Sequence, residues 1–108
     1  MHKYMFTVSY TLDGVKGLLD VGGSHRAAAV EGLVGSVDGK VEGFYFAFGE
    51  DDAYIIAELP DDAAATALSL RVAAGGTATV RTTVLLDAAE IDEAAKRNVS
   101  YTPAKGLF

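Results

Sequence analysis

The apolar pattern of this chain changes period along its length, and the order of the changes limits the fold more than any other feature. Residues 3–11 alternate, with Tyr4, Phe6, Val8 and Tyr10 on one side and Met5, Thr7, Ser9 and Thr11 on the other. That period of two predicts a strand. Asp13 opens a short turn or helix carrying Val15, Leu18 and Leu19, which Gly22 and Gly23 break. Ser24 is expected to cap the next helix, whose stripe is Val30, Leu33, Val34 and Val37, and Gly39 to close it. Gly32 and Gly35 lie inside that helix, where each costs up to about 1 kcal/mol relative to alanine. Either the helix tolerates them or another backbone packs close against that face.

Residues 40–48 form an aromatic strand, with Val41, Phe44, Tyr45, Phe46 and Phe48, and its Phe stripe reads as core. The acids of the turn Gly49-Glu50-Asp51-Asp52 read as solvated, and residues 53–59 return as the second arm of a hairpin. Pro60-Asp61-Asp62 stops that strand and starts a helix through Ala64, Ala67, Leu68 and Val72, ending near Gly75-Gly76. Residues 77–86 alternate and are β-branched, as a strand should be. Asp87 and Glu90 have capping-box spacing and start a last helix through Ile91, Ala94 and Ala95 to about Asn98. The tail from Tyr101 to Phe108 reads as irregular.

The order is β-α-β-β-α-β plus a C-terminal helix, in one domain over residues 1–108. This is the split βαβ, or ferredoxin-like, arrangement of the α+β class. It implies a four-stranded antiparallel sheet with helices on one face. Half of the 108 residues are apolar, more than one side of such a sheet hides. The bare face is therefore expected to be covered by the last helix or by a second copy. The expected assembly is a symmetric homodimer of the α+β barrel type.

Several functions are excluded early. The absence of cysteine removes disulfides, thiolate metal sites, thiol nucleophiles and iron–sulfur clusters. One dependable histidine, His25, does not build a structural zinc site, so no metal and no cofactor are expected. A net charge of -6 repels phosphate backbones, so no nucleic-acid partner is expected. No apolar run reaches the roughly 18 residues of a membrane span, and the start, with His2, Lys3 and Tyr4, does not read as a signal peptide. A cytoplasmic domain is the expectation. Gly22-Gly23-Ser24 before a helix, with Arg26 adding charge, is suitable material for an anion-binding helix start, but it lacks the Lys-Ser/Thr of a phosphate loop and reads as helix capping.

Arg81 stands in the middle of an otherwise uncharged strand, and Glu58 lies near the exit of the third. With Ser9 and Thr7 on the strand between them, these side chains can form a polar row, to which Tyr45 and Tyr54 add hydroxyls. One reading is a small anionic or carbonyl ligand held by Arg81, Tyr45, Tyr54, Ser9 and Thr7 in a pocket between sheet and helices. The other is a salt bridge between Arg81 and an acid of its own or a partner chain. Glu58 and His25 are the candidate catalytic acid–base residues. His25 also reads as an exposed residue of a helix start.

Ser9-Tyr10-Thr11, Gly22-Gly23-Ser24-His25-Arg26, the run Phe44 to Gly49, Ala53 to Asp61, Val80-Arg81-Thr82-Thr83 and Glu90-Ile91-Asp92 together resemble the GYD domain family. Its members are small bacterial proteins of the dimeric α+β barrel group, without an established activity. The resemblance spans nearly the whole chain and implies a self-associating, small-molecule-binding or stress-associated module. The alternative is a cofactor-independent enzyme of oxygenase or isomerase type, since related barrel families include such enzymes. The family takes its name from a Gly-Tyr-Asp-like turn. Here the turn is Gly49-Glu50-Asp51-Asp52, with no tyrosine until Tyr54, so no role of that tyrosine carries over to the turn.

Overall fold

Each predicted strand and helix forms. The computed structural model describes residues 1–47 and 49–103. It has strands β1 (His2–Tyr10), β2 (Lys40–Phe46), β3 (Ala53–Leu59) and β4 (Ala78–Leu85) and helices α1 (Leu12–Val21), α2 (Gly23–Gly35), α3 (Asp62–Ala74) and α4 (Ala88–Lys96). The sheet is antiparallel with order β2-β3-β1-β4, so the fold is α+β with a ferredoxin-like arrangement.

Period two explains the core. Tyr4, Phe6 and Val8 of β1 and Ala53, Ile55, Ala57 and Leu59 of β3 are buried on the helix side. Val34 of α2 and Ala65 and Leu68 of α3 close over them. At one end of β1 the Tyr4 hydroxyl donates to Asp62 at 2.6 Å, tying that strand to the start of α3. At the other end Thr11 caps α1, its hydroxyl oxygen accepting from the Gly14 amide. A Cβ on Gly14 would run into the Thr77 carbonyl oxygen, so glycine is required where α1 passes the start of β4.

Several boundaries differ from expectation. Gly22, not Ser24, is the N-cap of α2, and Ser24 lies inside the helix. α2 stops at Gly35 rather than Gly39, and Asp38 takes the left-handed position at φ 62°. Gly39 is needed for space instead, because a Cβ there would strike Leu59, Val34 and the Glu58 carbonyl. No neighbouring atom lies near a Cβ on Gly32 or Gly35, so α2 tolerates both glycines without a close backbone partner. β2 ends at Phe46, and Phe48 lies outside the described residues. Phe44 packs on the core, whereas Phe46 is 41% exposed at the edge of the stripe.

The capping box of α4 forms as expected between Asp87 and Glu90. Every residue of α4 is exposed, so this helix does not cover the bare side of the sheet. That side is also less apolar than expected. The phenylalanines of β2 face the helices, and Met5, Ile56 and Tyr45 share the open face with Thr7, Ser9, Arg81 and Thr83.

Candidate functional site

Strand register assembles a polar row from residues far apart in sequence. Thr7 is opposite Tyr54 on one side and Arg81 on the other, and Tyr54 is opposite Tyr45. Paired residues point to the same face, so Tyr45, Tyr54, Thr7 and Arg81 cross all four strands on the side away from the helices. Ser9 lies two residues further along β1.

Asp51 gives this row its centre. The Arg81 guanidinium donates to it at 2.9 Å, the Ser9 hydroxyl at 3.2 Å and the Tyr54 hydroxyl at 3.4 Å. The β2–β3 turn is folded back to reach them. Asp52 accepts from the Tyr10 amide at 2.7 Å and donates its own amide to the Val8 carbonyl at 2.9 Å. Asp51 is only 9% exposed, which corrects the reading of this turn as solvated. A carboxylate held this far from water is compensated by charge-assisted hydrogen bonds. Arg81 thus pairs with an acid of its own chain, although its side chain remains 71% exposed.

The candidate acid–base residues are not brought together. Glu58 is on the open face, opposite Lys3 and Lys40. It borders the ion pair of Lys3 with Glu42 (3.0 Å), where Glu42 lies at the β-bulge between Val41 and Gly43. The hydrogen bond between these two partners raises the Lys3 ammonium above its usual pKa and lowers the Glu42 carboxyl below its own. His25 is exposed in the first turn of α2, on the helix side. Glu58 and His25 therefore lie on opposite faces of the sheet.

A cleft does lie between the sheet and the helices, with a volume of about 250 Å³. Its walls are apolar, including Phe6, Val8, Val30, Leu68, Val72 and Val80. Its lining contains none of Arg81, Tyr45, Tyr54, Ser9, Thr7, Glu58 and His25. The expected pocket and the expected polar row both exist, but on opposite sides of the sheet. The lining cations of the cleft are Arg26 and Arg71. The Arg26 guanidinium sits 5.6 Å from the centre of the Tyr10 ring, within cation–π range.

Sequence reasoning gave no role to Asp51 or Arg71, and read Arg26 only as added charge at the start of α2. Arg26 continues the α2 stripe one turn before Val30, and that spacing was a usable signal. Asp51 had none, because three consecutive acids in a turn do not reveal which one folds inward. Among the described residues no cluster of three or more His, Cys, Asp or Glu can hold a metal ion, and no helix is long and apolar enough to cross a membrane.

A family model described as GYD domain matches residues 4–95. No curated protein and no solved structure matches the chain.

Proposed function

Because the chain belongs to the GYD domain family, we propose that it is a self-associating small-molecule-binding module that performs no catalysis. The observation that carries this reading is the apolar cleft between α2 and α3. It is concave, floored by the sheet and close to the lower size limit of small-molecule sites, which begin at about 300 Å³. Catalysis on a substrate bound there would need an acid or base within reach. Glu58 faces away on the other side of the sheet, and His25 is absent from the lining.

Self-association takes place through the open face. Tyr45 is 68% exposed there, and Leu86, Ile91, Val99 and Tyr101 are exposed along α4 and the segments flanking it. A second copy related by a two-fold axis covers both surfaces at once, and an isologous contact needs only self-complementary patches. The Asp51 network stiffens the centre of that face.

A thermal-shift screen of small carboxylates and aromatic metabolites tests the binding reading. A hit should stabilise wild type and Arg81→Ala equally, because Arg81 does not line the cleft. Stabilisation that requires Arg81 would move the site to the open face, and a screen without hits would remove the binding role.

A further inference from the structure

The cleft is chemically lopsided. Its interior has almost no polar group to offer a ligand. Ser69 is one, and its hydroxyl already bonds the Ala65 carbonyl at 3.1 Å and the Thr82 hydroxyl at 2.7 Å. A sugar or other polyol placed there would leave its own hydroxyls unpaired and pay their desolvation.

One end is different. Arg26 is in the first turn of α2 and Arg71 in the last turn of α3. The two helices run in opposite directions over the sheet, so these turns meet near Tyr10 and Ala78, which are opposite each other in β1 and β4. The ion pairs among the described residues join Lys3 to Glu42, Arg81 to Asp51 and Arg97 to Glu93, so neither Arg26 nor Arg71 is neutralised by an acid at contact distance. In a chain where 15 acids outnumber 9 bases, two such arginines at the mouth of an apolar cleft form a local reversal of charge.

Resting on the reading of the cleft as a ligand site, we propose that its ligand is a medium-chain aliphatic monocarboxylate. The tail lies between α2 and α3 over Phe6, Val8 and Val80, and the carboxylate meets Arg26 and Arg71. The apolar lining, with a volume of about 250 Å³, suits a single unbranched alkyl tail. The head group then lies outside at the arginines. A guanidinium matches a carboxylate in two-point fashion, and Tyr10 holds that of Arg26 in place from below. A dicarboxylate would force a second charge into the apolar interior, and inorganic phosphate would leave that interior empty.

Isothermal titration calorimetry on the full chain, with butanoate, hexanoate, octanoate and the neutral octan-1-ol, tests the assignment. Affinity should tighten about three- to fourfold per methylene up to octanoate. Arg26→Gln and Arg71→Gln should each weaken octanoate about tenfold and leave octan-1-ol unchanged. Ala29→Trp, which fills the lining from α2, should weaken both ligands while keeping the helical circular dichroism of wild type. Equal binding of octanoate and octan-1-ol by wild type and both arginine variants would overturn the carboxylate and leave the cleft as a site. If neither ligand binds, the aliphatic carboxylate is overturned, and the ligand-site reading falls with it only if the thermal-shift screen also gives no hit. Unchanged binding by Ala29→Trp would place the ligand elsewhere. If Ala29→Trp or the arginine substitutions turn a dimer into a monomer in sedimentation, the cleft is filled by a second copy and the proposal is overturned.

Discussion

Asp51 links a surface turn to three strands through one carboxylate, because Ser9, Tyr54 and Arg81 come from β1, β3 and β4. Two substitutions separate its contributions. Arg81→Ala should lower stability by only about 1 kcal/mol, since the guanidinium is largely solvated and the pair is screened. Asp51→Ala should cost about 2 kcal/mol, because it also removes the acceptor of two hydroxyls. Urea denaturation measures both, and equal losses would mean that the ion pair dominates. Gly14 makes a harder demand. Gly14→Ala pushes a methyl group into the Thr77 carbonyl, and the expected loss is about 3 kcal/mol by the same measurement.

Among the elements, β1 and α3 are joined by a contact that titrates. The hydrogen bond to Asp62 pushes the Tyr4 hydroxyl up from 10.0 to about 12, with burial adding to the rise. A group whose pKa is higher when folded supports the fold fully below its unfolded value and loses that support as pH rises through the folded value. The contribution of Tyr4 is thus intact below about pH 10 and lost between there and about pH 12. Melting curves across that window should fall less steeply for Tyr4→Phe than for wild type. α2 offers a gain. Gly32 is interior to the helix with open space where a Cβ would go, so Gly32→Ala should stabilise by about 0.5–1 kcal/mol in chemical denaturation. A loss instead would mean that a partner packs on that face.

For the whole molecule, the open sheet face and the exposed α4 predict assembly. Sedimentation equilibrium should give twice 11.3 kDa for wild type. Tyr45→Glu places a charge on the β2 edge of the proposed interface, and Ile91→Asp places one on the exposed α4. Each should shift the mass toward 11.3 kDa while the far-ultraviolet circular dichroism stays that of the folded chain. A wild-type monomer at micromolar concentration would refute the assembly. Ligand binding gives an independent check, since the cleft lies on the other side of the sheet.

The order of elements was legible in the sequence because periodicity is local. Tyr4, Phe6 and Val8 alternate within one strand, Asp61 caps α3 three residues before the amide it serves, and Asp87 and Glu90 cap α4 from within a single turn. Short-range sterics and hydrogen bonds decide such features. The grouping of Thr7, Tyr54 and Arg81 was also partly legible, since the usual ferredoxin-like strand order makes them neighbours. The side of the sheet on which they lie, the inward turn of Asp51 and the separation of Glu58 from His25 depend on register and on a loop folded against β1. A one-residue change in register would exchange the two faces, and no segment carries that information alone. The sequence by itself therefore determined the elements, their order and the residues available for chemistry. Only the tertiary structure decided that Arg81 is held by Asp51 on the open face, while Arg26 and Arg71 stand beside the apolar cleft.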